Sequence, residues 1–192
     1  MGRGHRISFP NAMYHITNRG VRKMAVFFDD ADRYKYLQIL EETRARFPFL
    51  LHSYCLMDNH IHLQLQTLHD PISTIMKHLN LNYAKYFNKK HDLVGHLFQG
   101  RYGSELIDSV SYELDVSKYI HLNPVEAQMV KRAEDYRWSS YRAYISLEEN
   151  PHVYTDNILS HFPNPSSYLY QMFVEIKNTS LQTSPISIKP FV

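Results

Sequence analysis

Residues 60–66 show the pattern that most limits how this chain can fold. In this segment, HIHLQLQ, polar residues at even positions alternate strictly with aliphatic residues at odd positions. A period of two predicts a β-strand with one buried face, because successive side chains of a strand point to opposite faces of a sheet. The aliphatic side chains therefore face a core, and His60 and His62 lie next to each other on the opposite face.

The surrounding sequence predicts a sheet of four strands with two helices. The strands are predicted at 12–18, 49–57, 60–66 and 98–108, and the helices at 30–47 and 71–90. Asp58-Asn59 is a two-residue connection, which is typical of a tight hairpin. The order strand, helix, strand, strand, helix, strand is typical of the ferredoxin-like fold. We therefore predict an α+β protein with an antiparallel sheet, both helices on one face and the histidine pair on the uncovered face.

A third helix is predicted after the sheet, at 109–122. Pro124 biases Asn123 away from the helical region, so the helix is expected to end there. Tyr119 and Asn123 lie within about 40° of each other on a helix, so both can face the histidine pair. The predicted direction of the Tyr119 side chain is more secure than that of Asn123, because only Asn123 directly precedes Pro124.

The periodic pattern weakens after residue 145, apart from a possible short helix at 167–176. We therefore predict a domain at 1–145 that begins with a basic N-terminal arm. Residues 146–192 are predicted to form a partly irregular C-terminal extension, whose last residues are rich in Ser, Thr and Pro.

Basic residues are concentrated in two segments, although the net charge of the 192-residue chain is only +2. Residues 1–28 contain no acidic residue, and residues 71–103 contain a single one. Basic side chains interleaved with aromatic rings suit contact with phosphates and unpaired bases, although an ordinary solvated surface is the alternative. The candidates for DNA contact are Arg3, Arg6, Arg19, Arg22, Lys23, Arg101 and Tyr102.

Cysteine content and hydropathy indicate the compartment. Cys55 is the single cysteine, which excludes an intramolecular disulfide, and it lies in an apolar run typical of a buried residue. No apolar run reaches the roughly 18 residues of a membrane span. The N-terminus lacks the long apolar region of a signal peptide. These features predict a cytoplasmic protein with no membrane partner.

Four residues form a candidate site. His60 and His62 would lie roughly 6–7 Å apart along the strand, and two neutral imidazoles can bind one divalent cation. Asn123 offers a neutral oxygen ligand, and phosphate oxygens of a substrate would suit Mg²⁺ or Mn²⁺. Tyr119 is a weak nucleophile near neutral pH, but it becomes useful when a metal polarises a phosphodiester. A solvated histidine pair and a packed tyrosine are the alternatives that these residues leave open.

Five further blocks of the sequence carry a family signal. They are FPNAMYHITNRG at 9–20, MDNHIHL at 57–63, GHLFQGRY at 95–102, YIHLNPV at 119–125 and DYRWSSY at 135–141. In this order, over about residues 3–145, they resemble the single-tyrosine HUH transposases, specifically the REP-associated tyrosine transposases. The resemblance implies a metal-dependent endonuclease that cleaves and rejoins single-stranded or palindromic hairpin DNA, as a monomer or a homodimer.

The resemblance also implies a role for each candidate residue. His60 and His62 match the paired histidines of the HUH motif, and Asn123 matches the third metal ligand. Tyr119 matches the nucleophile, which forms a 5′-phosphotyrosine and leaves a free 3′-hydroxyl. The metal implied is Mg²⁺ or Mn²⁺.

The chain departs from the family pattern in three places. Asp58 stands where proline is common, and we interpret it as a turn residue. Glu126 stands where arginine is usual, and Gln128-Met129 replaces a usual Gly-Leu. We expect the loss of the basic residue to affect DNA affinity or sequence preference rather than the chemistry. Among the other histidines, His15 is predicted to have a structural or DNA-contacting role, and His121 is predicted to point away from Tyr119.

Three alternatives remain. A non-catalytic nucleic-acid-binding module on the same fold would read bases with aromatic residues on its central strands, whereas this strand face presents His and Gln. An inactive, domesticated relative is compatible with the sequence. A zinc hydrolase using His60, His62 and another histidine needs a general base that no motif here provides.

Overall fold

The computed structural model describes residues 8–176, which contain one four-stranded sheet. The strands are β1 (Met13–Arg19), β2 (Phe49–Met57), β3 (His60–Thr67) and β4 (Gly103–Ile107), and the helices are α1 (Asp30–Arg46), α2 (Ile72–Lys90), α3 (Val110–Glu126), α4 (Tyr141–Tyr144), α5 (Asp156–Leu159) and α6 (Ser166–Glu175). Short 3-10 turns lie at Val21–Lys23 and Ala133–Asp135. The strand order is β2-β3-β1-β4, and every neighbouring pair is antiparallel. This topology confirms the predicted ferredoxin-like α+β fold.

The first face of the sheet is covered as the alternation predicted. Ile61, Leu63 and Leu65 are buried in the main hydrophobic core together with residues of α1 and α2. A capping box fixes the start of α1: the Asp29 side chain accepts from the Asp32 backbone N–H, and the Asp32 side chain accepts from the Asp29 backbone N–H. The cap satisfies donors that the first helical turn leaves without partners.

The second face of the sheet is covered too, which corrects the prediction of an open face. α3 packs across β2 and β3, and Gln64 donates from Nε2 to the Glu113 carbonyl oxygen at 3.1 Å. His62 and Gln64 are both 0% exposed. Polar residues on a strand indicate a solvent-facing side only when no other group satisfies their hydrogen bonds. Here α3 supplies both the apolar contact and the hydrogen bond.

α3 continues through Pro124, which corrects the predicted helix end. Asn123 and Pro124 are both buried within the last turn, and the Asn123 carbonyl oxygen accepts from the Ala127 N–H at 2.9 Å. Proline costs most in a helix interior, where it removes a backbone hydrogen bond and crowds the preceding turn. Here the helix ends only two residues after Pro124, so the packing of this last turn outweighs the tendency of proline to end a helix.

The fourth strand is shorter than predicted. It begins at Gly103, and Phe98 makes only an isolated bridge to Gly20. Gly103 lies against β1, where a Cβ atom at this position would come within 2.4 Å of Thr17 Oγ1. The segment before β4 is therefore a loop at the rim of the second sheet face.

The C-terminal part of the described chain packs on α3 through a second hydrophobic core. Its buried residues are Ala133, Tyr141, Tyr144, Ile158, Tyr170 and Val174. The predicted helix at 167–176 corresponds to α6, whereas residues 177–192, predicted to belong to the extension, lie outside the described residues. The division at residue 145 stays a prediction. Between residues 8 and 176, no helix combines the length and apolar character that a bilayer crossing requires.

Candidate active site

His60 is oriented by the residue that precedes it. Asn59 donates from Nδ2 to the Lys23 carbonyl oxygen at 3.2 Å, which turns its Oδ1 towards His60. That oxygen lies 2.7 Å from His60 Nδ1. A carboxamide oxygen only accepts, so His60 donates from Nδ1 and its Nε2 retains a lone pair.

Asn123 presents an oxygen to that lone pair. Its Nδ2 donates to the Tyr119 carbonyl oxygen at 3.1 Å, one helical turn earlier, and this fixes the amide orientation. Asn123 Oδ1 then lies 3.5 Å from His60 Nε2. Two acceptors facing each other at this distance are stabilised by a cation between them.

His62 places a third ring nitrogen next to His60. The two imidazole rings are nearly perpendicular, with centroids 4.9 Å apart. His62 Nδ1 lies 3.1 Å from His15 Nε2 on β1, whereas His62 Nε2 is buried and has no hydrogen-bond partner in the described part of the chain. A buried polar atom without a partner is costly, so an atom of this kind indicates a missing ligand.

These three atoms fit a divalent metal ion when His62 Nε2 holds its lone pair. Among residues 8–176, no group of three His, Cys, Asp or Glu side chains is arranged to hold a metal. His60, His62 and Asn123 instead offer two imidazoles and a neutral amide oxygen. Such a set leaves coordination positions for phosphate oxygens.

Tyr119 borders the same cluster from α3. Its ring packs edge-on against His62, with centroids 5.4 Å apart, and against His15 at 5.8 Å. The side chain is only partly buried, so a substrate can reach it. The structure therefore brings together the four side chains predicted from the sequence to form one site, those of His60, His62, Tyr119 and Asn123.

Burial sets the charge states of the cluster. It lowers the pKa of His60, lowers the pKa of His62 well below its ordinary value, and lowers the pKa of His15 to about 4. The imidazoles are neutral at pH 7, which is the form that binds metals. Burial also raises the pKa of Tyr119, and the Glu126 and Glu105 carboxylates raise it further. The tyrosine hydroxyl therefore carries its proton at pH 7.

The predicted DNA contacts fall into four groups. Arg19 and Arg101 line a cleft of about 290 Å³ that opens beside His60. Arg22 and Lys23 are exposed in the 3-10 turn after β1, whereas Arg3 and Arg6 lie outside the described residues. Tyr102 is only 7% exposed and packs in the main core, which argues against its ring as a stacking surface for bases.

The sequence pattern did not predict two hydrogen bonds of the histidine pair, between Asn59 and His60 and between His15 and His62. The pattern predicts Asn59 only as a turn residue, although its position directly before His60 is a signal of the contact. His15 shares the polar face of β1, but the contact with His62 depends on strand register.

Two other sequence interpretations are supported. Asp58 forms an ion pair with Arg33 and keeps a negative φ, so it is a paired turn residue. His121 is 0% exposed and bonds to Tyr170 and Ser140 in the second core, on the side of α3 away from Tyr119.

Comparisons with known proteins agree with this description. Residues 8–123 match the family described as IS200-like transposases. A solved structure of a REP-associated tyrosine transposase bound to a REP hairpin is similar, with 15% identity, a TM-score of 0.64, and coverage of 80% of this chain and 98% of that one. A putative transposase from Deinococcus radiodurans R1 has 19% identity, a TM-score of 0.43, and coverage of 62% of this chain and 94% of that one. No curated protein matches. At such identities the structural likeness establishes the fold.

Proposed function

Because this chain belongs to the family of IS200-like transposases, we propose that it is a metal-dependent enzyme that nicks and rejoins single-stranded or hairpin DNA. One observation carries the proposal. Two adjacent imidazoles and an amide oxygen form a metal-type donor set, and a reachable tyrosine lies against it. The hairpin bound by the structurally similar transposase supports the choice of substrate.

The donor set would hold Mg²⁺ or Mn²⁺ through His60, His62 and Asn123. When bound, the ion would supply Lewis acidity that stabilises charge on a phosphodiester. The protein residues fix the donor orientations beforehand, because Asn59 holds His60 and the Tyr119 carbonyl holds the Asn123 amide.

Tyr119 would be the nucleophile. Its hydroxyl oxygen attacks the scissile phosphorus, so an O–P bond forms to the tyrosine and the bond from phosphorus to the 3′ oxygen breaks. The phenolic proton is lost to solvent, and the departing 3′ oxygen takes up a proton. The 5′-phosphotyrosine conserves the phosphodiester bond energy, so a second 3′-hydroxyl can attack it and join a new strand.

The cleft beside His60 would position the strand. Arg19 and Arg101 line it and can contact phosphates, which orient the DNA without reading its sequence. Gln99 and Thr17 line the same cleft and offer polar groups to an unpaired nucleotide. The strand would thus pass His60 on its way to Tyr119.

The test uses a labelled oligonucleotide pool with a hairpin and random single-stranded flanks, incubated with Mn²⁺. Wild type should form a covalent protein–DNA adduct on a denaturing gel, and Tyr119→Phe should form none while retaining affinity for the DNA. Tyr168→Phe is the matched control, because Tyr168 is 58% exposed on α6. An adduct from Tyr119→Phe would overturn the assignment, and DNA binding without any wild-type adduct would support a non-catalytic module instead.

A further inference from the structure

His62 and His15 share a hydrogen bond that joins two strands. His62 pairs with Thr17 in the register of β1 and β3, so His15 is its diagonal neighbour on the same sheet face. The rings are stacked with centroids 5.3 Å apart, and His15 Nε2 lies 3.1 Å from His62 Nδ1. Both side chains are buried, with exposed fractions of 3% and 0%.

The proton in this bond decides what His62 can do. A neutral imidazole has one N–H and one lone pair. If His62 donates from Nδ1, its Nε2 holds the lone pair and can bind a metal. If His62 accepts at Nδ1, its Nε2 carries a hydrogen and cannot.

We propose that His15 is a positioning residue that accepts the Nδ1 proton of His62 and thereby directs the His62 Nε2 lone pair to the metal. The inference rests on the proposed function. Two observations support the direction of the bond. His62 Nε2 is the nitrogen left without a partner within residues 8–176, and Asn59 imposes the same arrangement on His60 by accepting from its Nδ1.

The geometry argues against His15 as a further metal ligand. His15 meets the nitrogen of His62 that lies on the far side of the ring from Nε2. In the required arrangement His15 Nδ1 carries the other proton. This nitrogen is buried and has no hydrogen-bond partner within residues 8–176, and Glu105, directly opposite His15 in β4, places negative charge next to the ring.

Metal affinity is the readout, because His15 also packs against Tyr119 and a change in cleavage would not separate the two contacts. Mn²⁺ binding to the full chain without DNA is measured by calorimetry. His15→Phe keeps a flat ring but removes the acceptor, and we expect its affinity to fall by about 10–100-fold. His15→Gln restores an oxygen acceptor, and its affinity should lie within a few-fold of wild type.

A matched control is His78→Phe. His78 is a partly buried histidine on α2 that bonds to Thr43 and Asn82, so it reports the general effect of losing a hydrogen-bonded imidazole. Its Mn²⁺ affinity should equal that of wild type.

Nitrogen-15 NMR of the metal-free wild-type chain at pH 7.5 tests the tautomer directly, even if His15→Phe fails to fold. The signals of His62 are assigned by their loss in His62→Ala, and we expect the proton on Nδ1. A His62 proton on Nε2, or wild-type Mn²⁺ affinity in His15→Phe, would overturn the role of His15 and leave the proposed function standing. A wild-type chain that binds no Mn²⁺ would overturn the proposed function, and this inference with it.

Discussion

Replacing Tyr170 by phenylalanine is expected to destabilise the whole protein although it removes a single oxygen atom. Tyr170 lies on α6 and is 0% exposed. Its hydroxyl lies 2.6 Å from Ser117 Oγ and 2.7 Å from His121 Nδ1, both on α3. This network joins the C-terminal helix to the helix that carries Tyr119.

The expected cost follows from what the hydroxyl leaves behind. The phenylalanine ring keeps its apolar contacts, so no cavity of side-chain size forms. His121 Nδ1 becomes a buried nitrogen without a partner, which costs about 1–3 kcal/mol, and the lost bond to Ser117 adds about 1 kcal/mol. The total of about 2–4 kcal/mol corresponds to roughly 4–16 °C in Tm at 2–4 °C per kcal/mol for a protein of this size.

Urea and thermal unfolding, followed by circular dichroism, measure this effect. The matched control is Tyr168→Phe on the same helix, where the exposed side chain should change stability by less than about 0.5 kcal/mol. Because α6 packs on α3 through the second core, both variants should unfold in one transition. A Tyr170→Phe loss no larger than that of the control would refute the reasoning, and a separate transition for the extension would show that it folds independently.

Three further predictions concern charge. Burial lowers the pKa of His121 from 6.5 to about 3, so only the unfolded chain gains this proton between those values. Beside the contributions of the other buried histidines, His121 alone should lower the free energy of unfolding by about 2 kcal/mol from pH 7 to pH 5 in urea titrations, and His121→Leu should remove that part of the pH dependence. The sequence pattern suggested that Glu126 affects DNA affinity rather than the chemistry, but the carboxylate raises the pKa of Tyr119 in the structure. Glu126→Gln should therefore raise the cleavage rate at pH 7 by about two- to fivefold, and an unchanged or slower rate would contradict this. Asp58→Ala should lower the free energy of unfolding by about 1 kcal/mol, because the ion pair with Arg33 is lost. Its Mn²⁺ affinity should stay within about twofold of wild type, and a larger loss of affinity would place the Asp58 charge in the metal site.

The sequence determined the sheet and the identity of the candidate site. The alternation at 60–66 predicted β3 and its buried face. The order of elements, with a two-residue hairpin, was enough to predict the antiparallel ferredoxin-like sheet that is observed. These features depend on local periodicity and on short connections, both of which can be read along the chain. Tyr119 and Asn123 could be placed on one side of a helix for the same reason.

The tertiary structure decided how those residues are held. Only packing shows that α3 covers the second face, that Pro124 stays helical, and that Tyr102 is buried. The sequence marks His15 and His62 as polar positions on two strands, but their hydrogen bond joins residues 47 positions apart and depends on strand register. Local patterns specify which face of a sheet or helix a side chain occupies. The partner that the side chain contacts on that face depends on how distant elements pack, and for a histidine that partner decides which ring nitrogen holds the proton.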